Sequence, residues 1–132
     1  MSLVWREDDT PIVGEYLELR SAVGLPRVPP AAAAKGLSGG LFCVTVRDAG
    51  RLVGILRAVG DGGLSVTMTD LAVHPDWDGQ GIAENLMARA MAWCEDALPR
   101  GCAIGAVARP GTFAIYGSAG FETRTAMEIH RR

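Results

Sequence analysis

The sequence has no apolar run near the roughly 20 residues that a membrane-spanning helix needs, so no bilayer span is expected. It has no basic excess. Thirteen Lys and Arg stand against 15 Asp and Glu, which argues against a nucleic-acid partner held by a positive face. The three cysteines, Cys43, Cys94 and Cys102, are odd in number and lack paired short spacing. Neither a metal site nor a disulfide framework is expected, and free thiols fit a reducing compartment. Residues Met1 to Asp9 carry neither a basic opening nor an apolar stretch, so no signal peptide is read there and a cytoplasmic location is expected. What is present is 48% hydrophobic and 21% charged over 132 residues. That composition excludes disorder and fibrous repeats and fits one domain over residues 1–132 with a real core.

Leu3 to Arg6 reads as a short first strand. Thr10-Pro11 resembles a helix start, with Ile12 to Val23 following and Gly24 and Pro26 closing it. Pro29 to Gly40 is rich in Pro, Ala and Gly and reads as a loop with one short helix over Ala31 to Lys35. Leu41 to Arg47 and Arg51 to Val59 are β-rich runs joined at a hairpin turn, and Gly60 to Gly63 forms the next turn. Gly81 to Leu98 has the apolar spacing of a long amphipathic helix. Cys102 to Ala108 is a continuous small-apolar strand suited to the middle of a sheet. Thr112 to Ala119 is a short helix closed by Gly120, and Ala126 to His130 reads as a last strand.

Leu64 to Val73 carries the most information. Leu64, Val66 and Met68 alternate with Ser65, Thr67 and Thr69, as in a half-buried strand. Then the phase breaks, because Leu71 and Val73 are apolar on what was the polar parity. Two readings fit: a β-bulge near Asp70, of the kind that re-aims side chains beside active sites, or burial of the strand end on both faces.

The segment Asp78-Gly79-Gln80-Gly81-Ile82-Ala83 lies between this strand and the long helix. Glycines let the backbone approach a ligand, and a helix start offers unpaired N–H donors. The segment is either an anion site suited to a pyrophosphate or a plain tight turn. The dinucleotide fingerprint fails, because Glu84 stands where its third Gly or Ala belongs, and no Gly-Lys-Ser/Thr exists for a P-loop.

The segment does resemble the acyl-CoA loop of the GNAT N-acetyltransferases. Asp70-Leu71-Ala72-Val73-His74-Pro75 resembles that family's fourth strand and its exit. Ile115-Tyr116-Gly117-Ser118-Ala119-Gly120-Phe121 resembles its late helix, and the three motifs follow in the family's order. The resemblance is clear from about Leu41 to Glu122 and softer before. It implies an α/β (α+β) domain whose mixed central sheet has about six or seven strands. By the same resemblance the fourth strand would be bulged and splayed, and about four helices would flank the sheet.

It also implies an N-acetyltransferase that uses acetyl-CoA as cosubstrate, needs no metal, and acts on a small-molecule or protein amine by direct attack. Leu71, Ala72 and Val73 would pair with the pantetheine arm. Gly79, Gln80, Gly81, Ile82, Ala83 and Glu84 would form the pyrophosphate loop. Tyr116 is the candidate general acid for the CoA thiolate, since a phenol near pKa ~10 keeps its proton at neutral pH; its other reading is a core aromatic. Asp70 is the candidate base, with His74 second. Dimers are common in the family, so a homodimer is among its implications.

Three positions depart from the family pattern. Asp78 stands where Arg or Gln is usual, Glu84 where a basic or small polar residue is frequent, and Arg109 where many members carry an Asn that holds the CoA arm. Arg109 is therefore a candidate for a CoA phosphate. The two carboxylates keep open a second reading, a non-catalytic acyl-CoA-binding module. A third is a generic α/β domain with a structural loop.

Overall fold

Two successive hairpins build the centre of the sheet. In the computed structural model, which describes residues 2–7 and 9–131, β2 (Phe42–Asp48), β3 (Arg51–Gly60) and β4 (Ser65–Val73) form an antiparallel meander. The first turn uses Ala49 and Gly50, both at positive φ, the twist that a tight hairpin needs. In the second, the Asp61 carboxylate accepts the N–H groups of Gly63, Leu64 and Ser65. β1 (Leu3–Arg6) adds antiparallel to β2, and β5 (Ala103–Ala106) adds parallel to β4. Among the described residues the sheet has five strands in the order β1-β2-β3-β4-β5.

Four α-helices cover the two faces. On one lie α1 (Val13–Ala22) and α2 (Pro30–Ser38), where Tyr16, Leu19, Ala33 and Leu37 pack on Leu52, Ile55 and Ala72. On the other lie α3 (Ile82–Ala97) and α4 (Phe113–Ser118), packed on Val44, Val46, Leu56, Val66 and Met68. Arg47 ties the start of α1 to the sheet by binding Asp9 at 3.0 Å and Glu15 at 2.5 Å.

The structure corrects several expectations. Six or seven strands become five, because Ala126–His130 forms no strand and lies exposed. β5 is four residues long and sits at the sheet edge rather than in its middle. Small apolar side chains suit a half-covered edge as well as a centre, and composition alone does not separate them. α2 is a nine-residue helix, longer than the turn expected within the loop, since Pro30 stands at its first position and a run of alanines carries it on. α1 begins at Val13, after the Thr10-Pro11 start.

The bulge is present. Ile55 pairs with Ala72 and Arg57 with Thr69, so Asp70 and Leu71 together face Leu56. Asp70 takes φ 63°, a left-handed conformation that Asp tolerates better than most side chains. The extra residue restores the phase: Val66, Met68, Leu71 and Val73 all join the cluster under α3, and Ala72 the cluster under α1. The helices of the described residues include none long and apolar enough to cross a membrane. The three cysteines are free.

Candidate active site

The bulge makes β4 part from β5. Their pairing runs from Ser65–Ala103 to Met68–Ala106 and stops there. Beyond it, Thr69 to Val73 keeps β3 on one side and, among the described residues, has no strand on the other. One side chain reaches across: the Arg109 guanidinium donates a hydrogen bond to the Leu71 carbonyl. The main chain of Leu71, Ala72 and Val73 thus borders an open wedge, the kind of edge to which an extended ligand can add.

The loop after β4 leads to the same wedge. Pro75–Trp77 forms one short 3-10 turn, and α3 then starts behind Gly81. Gly79 and Gly81 have φ of 76° and 75°, a region that L side chains avoid, so these glycines are required by the turn. No side chain caps α3, and the first backbone bond into it runs from Asn85 N–H to Gly81. Among the described residues, the N–H groups from Gly79 to Glu84 are therefore left without protein acceptors. Unpaired amides at the positive end of a 16-residue helix offer donors of the kind that suit an anion. Glu84 lies in that first turn, exposed to solvent.

Asp70 lies in the bulge, and its carboxylate is fully engaged. It accepts from the Tyr16 hydroxyl at 2.6 Å, the Arg20 guanidinium at 2.9 Å and Arg57 Nε at 3.0 Å. Its side chain is 8% exposed. Arg57 also donates to the Gly36 carbonyl and Arg20 to the Pro26 carbonyl. The cluster joins α1, the segment after it, α2, β3 and β4 at one point. Asp70, the candidate base, lies at the centre of this network. Burial, and next the hydrogen bond given to Asp70, push the Tyr16 phenol above its usual range.

Tyr116 is buried on α4, edge-on to Phe121 at 5.2 Å between ring centres. Its hydroxyl makes no hydrogen bond with any described residue. Burial raises its pKa above 10.0, the Arg109 charge opposes that rise and the Asp70 charge adds to it. His74 is elsewhere: its Nδ1 accepts from the Asp76 N–H and its ring meets Trp77 and Arg51, beside the β2–β3 hairpin.

Sequence reasoning missed Tyr16, Arg20 and Arg57 as partners of Asp70. One signal was available: Arg57 interrupts an otherwise apolar strand, and a charge there needs a partner. Among the described residues no group of three or more His, Cys, Asp or Glu could hold a metal.

Comparison with known proteins agrees with this geometry. The pattern of the acetyltransferase (GNAT) domain matches residues 38–123, which include β2 to β5, the glycine loop and α4. An uncharacterised ycf52-like N-acetyltransferase from Prochlorococcus marinus is 30% identical over 112 residues, covering 81% of this chain; the chain spans 61% of that relative's length. A protein of unknown function and probable acetyltransferase from methicillin-resistant Staphylococcus aureus has the same fold, with a TM-score of 0.93 and 28% identity, covering 98% of this chain and 100% of that one. A GNAT-family acetyltransferase from Streptococcus pneumoniae superposes with a TM-score of 0.79 at 26% identity, covering 99% and 100%. By its motifs, its fold and the match across most of its length, this chain belongs to the GNAT acetyltransferase family.

Proposed function

We propose that the protein is an N-acetyltransferase that moves an acetyl group from acetyl-CoA to an amine by direct attack. The observation that carries this reading is the wedge itself: an unpaired β4 edge that leads to a row of unpaired amides at the start of α3. Acetyl-CoA, as cosubstrate, supplies the activated thioester. The Gly79, Gln80, Gly81, Ile82, Ala83 and Glu84 amides hold its diphosphate, and Leu71, Ala72 and Val73 pair with its pantetheine arm. Arg109 releases the Leu71 carbonyl when that arm adds to the strand, which frees its guanidinium for a phosphate.

Tyr116 gives its proton to the leaving thiolate. Its hydroxyl is unengaged and its raised pKa keeps it protonated at neutral pH. Asp70 enters as a positioning residue. With two guanidinium groups and a phenol on its oxygens, it holds the bulge open. The amine proton then leaves through water. The acceptor is a small-molecule or protein amine.

The test is a pair of measurements. Acetyl-CoA is expected to raise the melting temperature, because a ligand of the native state stabilises it by mass action. Thiol release against a panel of amines is expected to find an acceptor. No thermal shift at saturating acetyl-CoA overturns the reading. A shift without turnover on any amine supports the second reading, a non-catalytic acyl-CoA-binding module, which Asp78 and Glu84 beside the diphosphate loop favour.

A further inference from the structure

The loop that carries the amides from Gly79 to Glu84 contains no cation. From Asp78 to Glu84 its only charges are two carboxylates, so any hold on a diphosphate falls to the main chain. Main-chain donors hold a ligand well only when they are already aimed, because a loop that must be ordered on binding loses affinity to that ordering. Asp78, Gly79, Gln80 and Gly81 are all exposed, and a Cβ placed on either glycine would meet nothing within 4 Å. The direction of these four residues therefore depends on what holds their two ends.

The far end is Ile82, 3% exposed in the core under α3. The near end is Trp77, the last residue of the 3-10 turn. Its indole N–H donates to Asp48 Oδ2 at 2.9 Å, at the end of β2. The Arg51 guanidinium lies over the indole, 5.2 Å from its centre, and His74 meets it edge-on, also at 5.2 Å. The chain leading to Trp77 is fixed as well. The His74 N–H donates to the Val53 carbonyl at 2.8 Å, and the Trp77 N–H donates to the His74 carbonyl at 2.9 Å.

Asp48 and Arg51 face each other where the β2–β3 hairpin turns. The tip of that hairpin lies outside the wedge, yet it holds the indole twice: a carboxylate at the ring edge and a cation on the ring face. Arg51 Nη2 is in turn 3.1 Å from His74 Nε2 and 3.9 Å from the Glu18 carboxylate of α1. Trp77 also packs on the core cluster under α3. Gly79, the first of the two positive-φ glycines, follows only two residues later.

We propose that Trp77 is a positioning residue for the diphosphate amides and that Asp48 aims it. The inference rests on the acetyl-CoA reading of the loop and extends it to residues that never touch the ligand. With Asp78 and Glu84 repelling a diphosphate, affinity depends on amides that point one way before the ligand arrives. The Asp48–Trp77 bond fixes where the loop departs, and Ile82 fixes where it ends. Without that bond the 3-10 turn is free to swing on the hairpin tip, and the amides lose their common direction.

Isothermal titration of the full chain with coenzyme A tests it. Trp77→Phe keeps an aromatic ring for Arg51 and His74 and removes the N–H. It is expected to weaken coenzyme A binding roughly tenfold, about what the loss of one hydrogen bond allows. Asp48→Ala is expected to match it. Asp48→Asn, whose amide oxygen still accepts, is expected to stay within about twofold of the unaltered chain. Trp77→Phe/Asp48→Ala is expected to bind no more weakly than either single variant, since both remove the same contact. In thiol release these changes are expected to raise KM for acetyl-CoA at unchanged kcat, a split that general damage to the fold would not give. A folded Trp77→Phe that binds coenzyme A as tightly as the unaltered chain overturns the proposal. So do additive losses in the double variant, or a lower kcat at unchanged KM. An unaltered chain that takes up no coenzyme A overturns the acetyl-transfer reading, and this inference with it.

Discussion

The two sides of the β4 bulge treat their polar groups in opposite ways. On the side of α1 and α2, the Asp70 carboxylate takes three donors, and the guanidinium groups of Arg20 and Arg57 also bind main-chain carbonyls. On the side of α3 and α4, the Tyr116 hydroxyl and the amides from Gly79 to Glu84 have no partner among the described residues. A saturated cluster fixes geometry, because each group is worth more bound to its neighbours than exposed to any ligand. Unsaturated groups in a cleft are the ones available to a substrate. The bulge needs both: a rigid side that holds the strands apart, and an open side that uses the gap.

The sharpest way to break this contrast is Asp70→Asn. Asn also tolerates the left-handed backbone at this position, so the change removes charge without adding strain. It leaves Arg20 and Arg57 buried without a counter-charge, which is expected to cost about 3–5 kcal/mol by chemical denaturation. If Asp70 were instead a free base, stability would hold and turnover alone would fall.

Tyr116→Phe addresses the open side. It is expected to lower kcat by roughly 10²-fold, the low end for general acid catalysis, with acetyl-CoA binding and stability little changed. Equal activity would remove Tyr116 from the chemistry.

A smaller effect lies in the pH profile. Burial holds the Tyr116 phenol above 10.0, so the alkaline limb of kcat is expected above pH 10. Arg109→Gln should move that limb higher still, because the lost positive charge favoured the phenolate. A limb that stays in place separates Arg109 from the acid.

The smallest effect is on the saturated side, away from the site. The Arg47 hydrogen bond holds the Glu15 carboxyl below its usual range, against the opposing effect of burial. A lowered folded pKa gives stability that is present above the unfolded value of about 4.3 and is lost as pH falls through the folded one. Glu15→Gln should therefore flatten the fall of melting temperature in acid by a small amount.

Much of this arrangement was legible in order along the chain. The glycines of the β4–α3 loop, the broken alternation around Asp70 and the short helix that carries Tyr116 are all readable in the sequence, and the resemblance to the family joins them into one cleft. The partners of Asp70 were not legible, because Tyr16 and Arg20 lie 54 and 50 residues away and meet it only across the sheet. Neither was the place of β5 at the edge, nor the exposure of Met127 and Ile129, since small-apolar and alternating runs suit a strand wherever it lies.

The amino-acid sequence alone determined the local devices: positive-φ glycines, apolar periods of two and of 3.6, and the one-residue slip that a bulge repairs. These are set by neighbours within a few residues. Tertiary structure alone decided which polar groups would be satisfied and which left open, because that depends on atoms brought together from distant parts of the chain. Closing one side of the bulge with ions and leaving the other bare is what turns a kinked strand into a cleft.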